Sequence, residues 1–185
     1  MSQSQLLIDT IEALEKAGCE YMLTGSIVSS MQGEPRATHD IDIVVEVSRD
    51  ILEVFFGEFS TDDYYYDPEG AKAAIEAKDM FNLLSIASGD KVDIWALTES
   101  AFDQSRFARR QTVDLLGKAI KVSSPEDTII MKLLWAKMSG GSEKQLFDAA
   151  RVYDMQSDSL DHGYIITWIN ILELETQFAD MQRFV

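Results

Sequence analysis

Asp40 and Asp42 lie two residues apart inside the apolar run DIDIVVEV, and this is where the chain's residue types and spacing could do chemistry. On a strand, residues i and i+2 point to the same side, so the two carboxylates project together with Cα atoms roughly 6.5 to 7 Å apart. Near an apolar interior such a pair either shares protons or is neutralised by a cation, and an all-oxygen donor set suits a hard divalent ion, Mg²⁺ or Mn²⁺. Asp93, inside a second β-prone run, KVDIW, could add a third carboxylate as a metal ligand or as the base that activates a hydroxyl. The competing reading of Asp93 is a surface carboxylate on a strand.

The segment LTGSIVSSMQG supplies the complementary chemistry. Gly25-Ser26 opens a predicted helix, where backbone N–H groups, a hydroxyl and the positive end of the helix dipole suit a phosphate oxygen. A phosphate held there and bridged through a metal to Asp40 and Asp42 defines a nucleoside triphosphate site. In-line attack of a hydroxyl at the α-phosphorus would then expel pyrophosphate.

The elements that must position these residues are legible from periodicity. A helix is expected over residues 2–16, a buried strand in CEYMLTG, and a helix in SIVSSMQG closed by Gly33. DIDIVVEV follows as a strand with a polar-led face, and Ser48 caps a helix over RDILEVFFGEF. GAKAAIEAKDM is read as a short helix, and FNLLSIAS and KVDIWALT as a hairpin joined through GD. STDDYYYDPEG has no readable structure beyond turns, and SAFDQSRFARRQTVDLLG is helical at its start only. Beyond Ser123 the pattern is helical throughout, with a start at Ser124-Pro125-Glu126-Asp127, a stop at Gly140-Gly141, a second helix after Ser142 and a last stretch over roughly 161–180. The expected class is therefore α+β, a mixed β-sheet flanked by helices with a C-terminal helical lobe. Its expected domains are a core over 1–122 and a lobe over 123–185 packed on it.

Composition narrows the partners. The chain has 185 residues, of which 46% are apolar, enough for one good core. Sixteen basic residues against 32 acidic ones give a net charge of −16, which opposes a broad grip on a nucleic-acid backbone. Arg106, Arg109 and Arg110 are the one local basic cluster that could serve one. The sequence shows no signal-peptide pattern and no apolar run of membrane-spanning length, so a cytoplasmic protein without membrane contact is expected. Cys19, the single cysteine, lies in an apolar pattern and reads as a buried, inert thiol.

TGSIVSSMQGEPRATHDIDIVV resembles the signature of the nucleotidyltransferase (polymerase β-like) superfamily, with a Gly-Ser turn opening a helix and an Asp-x-Asp strand about a dozen residues later. RATHDIDI is similar to the R-x-T-x-D-[IL]-D form of the minimal bacterial group that includes the AbiEii-type toxin nucleotidyltransferases. The resemblance covers about residues 20–97. It implies a nucleotidyltransferase-like fold, transfer of NMP from an NTP such as ATP to a hydroxyl on an RNA, a protein or a small molecule, and a divalent ion. It places Gly25, Ser26, Arg36 and Thr38 at the nucleotide, and Asp40, Asp42 and Asp93 as catalytic metal ligands. It further implies a lysine on a helix after the core and an aspartate on the next, for which Lys132, Lys137, Lys144 and Asp148 are candidates; Lys132 is the one assigned to the nucleotide. A role in a toxin–antitoxin pair, with a cognate antitoxin as partner, follows from the same group. Where toxin relatives carry K-x-x-x-R … R-D-x-x-D, this chain has KQLFDAARVYD. That departure opens a second reading, a catalytically inactive nucleotide-binding or regulatory protein on the same fold.

Other conspicuous residues have plainer readings. Arg36 either steers phosphates or pairs with an acidic neighbour. His39 is expected on the strand face opposite the aspartates. Tyr64, Tyr65 and Tyr66 read as an aromatic lid, and Trp95, Trp135 and Trp168 as core or interface.

Overall fold

Ser2 accepts the amide of Gln5 on its side chain and starts the first helix, α1 (Gln3–Lys16), whose Leu6, Leu7, Ile11 and Leu14 form a buried stripe. The computed structural model describes residues 2–38 and 40–185; the expectation for His39 falls outside the described residues. The elements that follow are β1 (Glu20–Thr24), α2 (Gly25–Gln32), β2 (Asp40–Glu46), α3 (Arg49–Phe56), β3 (Tyr64–Tyr65), α4 (Pro68–Ala77), β4 (Met80–Ser85), β5 (Lys91–Ala96), α5 (Ala101–Ala108), β6 (Gln111–Leu115) and β7 (Lys118–Val122). The remainder is helical, α6 (Pro125–Met138), α7 (Glu143–Met155), α8 (His162–Ile171) and α9 (Glu175–Met181). This is the mixed-sheet α+β class expected from the sequence.

The chain forms two compact units, Met1–Thr24 with His39–Val122, and Gly25–Thr38 with Ser123–Val185. In the first, seven strands make one sheet in the order β3-β4-β5-β2-β1-β7-β6. The pairs β1/β7 and β2/β5 are parallel and the rest antiparallel. One face of its centre is wholly apolar: Ile41, Ile43 and Val45 of β2 and Val92 and Ile94 of β5 are buried there. Phe56 of α3 meets Phe81 of β4 on that side, with ring centroids 5.9 Å apart. The other face changes character along its length, from Asp40 and Asp42 to Val44, which packs with Met22, Leu97, Phe107 and Trp95.

In the second unit α2 packs on α6 and α7. Gln32 donates to the carbonyl of Ser123 at 2.7 Å, and Gln156 donates to the carbonyl of Gln32 at 2.8 Å. Residues 25–38, assigned by sequence to the 1–122 core, therefore group with the C-terminal helices. A short helix carries too little pattern to announce which neighbours it packs against. Gly33 makes this packing possible, since a Cβ there would lie 2.9 Å from backbone atoms of Arg151 and Val152. Gly33→Ala should accordingly destabilise the helical unit by about 1–3 kcal/mol, read as a lowered denaturation midpoint with unchanged slope.

Three local readings are refined. RQTVDLLGKAIKV holds a hairpin, β6 with β7, whose turn sets Leu116 and Gly117 at φ +58° and +78°. The sequence pattern exposed only its second strand because β6 is an exposed edge without strong apolar alternation. Tyr64 and Tyr65 form a short strand paired with β4, and Asp67 caps α4 through the amides of Glu69 and Gly70. The last helical stretch breaks in two at Glu173, where φ is +54° and Lys137 donates to the carbonyls of Leu172 and Glu173.

Candidate active site

Strand register decides which polar groups meet. Thr24 of β1 stands opposite Asp42, Asp42 opposite Asp93 of β5, and Asp93 opposite Asn82 of β4. A polar row thus crosses four strands on one face of the sheet. Asp40 and Lys91, partners in the adjoining row, lie on the same face. The apolar residues between them on each strand are buried on the opposite face and anchor the row.

Asp93 is 7% exposed and well satisfied. Asn82 donates to its Oδ1 at 2.5 Å, and the Lys91 ammonium donates to Oδ2 at 2.7 Å and to Oδ1 at 3.1 Å. The same ammonium stands 3.8 Å from Asp40 Oδ1. The Asp93 hydrogen bond above all, then the charges of Asp93, Asp40 and Asp42, hold Lys91 above the usual lysine range against a desolvation that lowers it. Asp40 is exposed and Asp42 half-buried.

A donor set of carboxylate oxygens has the right chemistry for Mg²⁺ or Mn²⁺. Among the described residues, the Lys91 ammonium is a cation standing beside Asp93 and Asp40. Among the described residues no three His, Cys, Asp or Glu side chains are close enough together to hold a metal ion. Asp40, Asp42 and Asp93 share a face, but Asp93 and Asp40 are drawn to the lysine. Lys91 and Asn82 escaped the sequence reading, although Lys91, two residues before Asp93 on one strand, carried a signal.

The nucleotide-binding candidates assemble within the helical unit. Gly25 takes φ +69° where β1 passes directly into α2, a left-handed conformation that glycine adopts without strain. Arg36 Nη2 donates to Ser26 Oγ at 3.0 Å and to Asp148 Oδ2 at 2.7 Å, while its Nε donates to Asp148 Oδ1 at 2.9 Å. Lys132, 5% exposed, donates to Asp148 Oδ2 at 2.8 Å. Arg36 and Lys132, from the loop after α2 and from α6, therefore share one buried aspartate of α7, and Arg36 extends the link to Ser26 of α2. Burial pushes the Asp148 carboxyl up, but the hydrogen bonds of Arg36 and Lys132, with their charges, hold it below its ordinary value. A cavity of about 90 Å³ adjoins this cluster, lined in part by Ser29, Glu34, Arg36, Phe147 and Arg151. Thr38 is half-buried at the end of the same loop. Lys144 is exposed, and Lys137 serves the end of α8.

Other candidates are committed elsewhere. Arg106 pairs with Asp103 at 2.7 Å, and Arg110 pairs with Glu20 at 2.5 Å while lying over the Phe107 ring, so the suspected basic patch is largely spent on local ion pairs. Tyr66 stacks on Phe56 at 4.5 Å and Tyr64 packs edge-on against Phe59, whereas Tyr65 is exposed. Cys19 is buried, and burial pushes its thiol to about 12, beyond nucleophilic use at neutral pH. Among the described residues no helix is long and apolar enough to cross a membrane.

No protein-family model matches the chain, and no curated protein matches it in sequence. Solved structures do resemble it. An antigenic nucleotidyltransferase-like protein from Paracoccidioides brasiliensis aligns with a TM-score of 0.54 at 15% identity, over 96% of this chain and 91% of that one. The antibiotic-resistance factor ANT(2'')-Ia aligns in its solution structure with a TM-score of 0.55 at 12% identity, over 98% and 95%. Its crystal structure in complex with adenylyl-2''-tobramycin gives 0.55 at 11%, over 94% and 98%. With the mixed sheet and its aspartate row, these likenesses establish that the chain has the nucleotidyltransferase-like fold.

Proposed function

We propose that the protein is a divalent-metal-dependent nucleotidyltransferase that moves a nucleoside monophosphate from an NTP to a hydroxyl. The observation that carries this reading is the placement of Asp42 directly opposite Asp93 on adjacent strands, with Asp40 on the same face, in a nucleotidyltransferase-like fold. Asp40, Asp42 and Asp93 would have to draw closer together to hold Mg²⁺ or Mn²⁺, which when bound neutralises phosphate charge. Gly25 and Ser26 bind phosphate oxygens at the start of α2, with Arg36, Thr38 and Lys132 in support. The acceptor oxygen attacks the α-phosphorus, its bond to the pyrophosphate oxygen breaks, and pyrophosphate leaves. A carboxylate, Asp93 in this reading, takes the acceptor's proton.

Of the acceptor classes, a small hydroxylated molecule is favoured. The net charge of −16 repels a polyanion and attracts an amine-bearing acceptor. ANT(2'')-Ia, of the same fold, was solved with an adenylylated tobramycin. The test is incubation of the pure protein with each α-³²P-labelled NTP and Mg²⁺ in the presence of total RNA, cell protein or aminated sugars. Label transferred to an aminated sugar with stoichiometric pyrophosphate supports the reading, and label on RNA or protein moves the acceptor to that class.

A second reading, a nucleotide binder without catalysis, is favoured by the engagement of Lys91 with Asp93 and of Asp148 with both Arg36 and Lys132. It predicts NTP binding by calorimetry with no transfer to any acceptor. Absence of NTP binding at millimolar nucleotide refutes both readings.

A further inference from the structure

Lys91 is the only described cation within ion-pair distance of Asp93 or Asp40. Its side chain is 42% exposed, and strand register sets it beside Asp40 in the row next to Asp42 and Asp93. Its ammonium makes two hydrogen bonds to Asp93, one to each carboxylate oxygen. Asp93 is also one of the carboxylates that would hold a divalent ion in the reading above.

We propose, building on the nucleotidyltransferase reading above, that Lys91 is an internal competitor that masks the metal site until the nucleotide arrives. An ammonium offers a carboxylate one charge, whereas a divalent ion offers two but must shed part of its water and displace the lysine. A metal alone therefore binds weakly. A triphosphate changes the balance, because it brings further oxygen donors to the ion and anionic oxygens that can receive the displaced ammonium. Lys91 sits on an exposed four-carbon stem at the start of β5, so it can swing from Asp93 to a phosphate without moving the strand. Lys91 is thus a positioning residue that couples metal binding to nucleotide binding, and it sets their order.

The test is calorimetric titration with Mn²⁺, checked by water-proton relaxation, on the whole protein with and without a non-hydrolysable NTP analogue. Four proteins are compared: wild type, Lys91→Met, Lys91→Arg and Asp42→Asn. Removing the competing charge should tighten Mn²⁺ binding by Lys91→Met about tenfold in the absence of nucleotide, and the affinity gained on adding the analogue should shrink by a similar factor. Lys91→Arg keeps the charge and should stay within about threefold of wild type. Circular dichroism melts establish that each variant is folded, as expected for an exposed strand-end substitution. Equal or weaker Mn²⁺ binding by Lys91→Met overturns the masking role. If Asp42→Asn still loses the Mn²⁺ that wild type binds, the metal-site reading survives that result. No Mn²⁺ binding by any folded variant, with or without nucleotide, overturns the metal site and the masking role together.

Discussion

Asp148→Ala should lower the stability of the helical unit by about 3–5 kcal/mol, the usual cost of removing one partner from a buried charge pair. Asp148 and Lys132 have side chains only 5% and 6% exposed, so the substitution leaves the lysine's charge in a poorly solvated setting. The Arg36 side chain is 26% exposed and can recover water, so it contributes less to the loss. Chemical denaturation reads the effect as a lowered midpoint. The same carboxylate predicts a pH dependence. Its folded-state pKa is depressed, so its contribution is complete above the unfolded value of about 3.9 and disappears as pH falls through the lower folded value. Wild type should therefore lose stability relative to Asp148→Ala in acid below about pH 4, and the two denaturation midpoints should converge there.

Asp42→Asn should reduce nucleotidyl transfer on the order of a thousandfold, about 4 kcal/mol of transition-state stabilisation, with the loss falling on turnover more than on nucleotide affinity. Folding should respond in the opposite direction. Asp42 faces Asp93 across parallel strands with Asp40 on the same side, and like charges set opposite one another destabilise a sheet. Neutralising Asp42 should then leave metal-free stability unchanged or raise it by up to about 1 kcal/mol, seen as an equal or higher melting temperature. Lost turnover in a protein at least as stable as wild type separates a catalytic role from a structural one. An Asp42→Asn protein with wild-type turnover, or one that fails to fold, contradicts the assigned role.

The two effects arise from different designs. Asp148 is an anion compensated by two cations, so its removal exposes an imbalance. In the sheet, Asp40, Asp42 and Asp93 stand on one face, so neutralising one of them relieves like-charge repulsion. In the first case charge contributes to stability; in the second, like charges gathered on one face of the sheet oppose it.

Much of this architecture was legible in the chain because it rests on local chemistry. Alternation in DIDIVVEV made a strand with its aspartates on one side, Ser124-Pro125-Glu126-Asp127 started α6 where expected, and Gly25-Ser26 opened a helix. These follow from backbone periodicity, side-chain capping and glycine's conformational freedom, all of which act over a few residues. What only the tertiary structure decided were the pairings across long sequence separations. Strand register set Asn82 and Lys91 on Asp93, helix packing drew residues 25–38 to the C-terminal helices, and Asp148 became the counterion of both Arg36 and Lys132 across separations of 112 and 16 residues. A charged side chain's type shows only that it needs a partner. Which partner it obtains depends on how the apolar faces close, since that burial fixes the strand register and helix contacts that bring distant charges within a few ångströms.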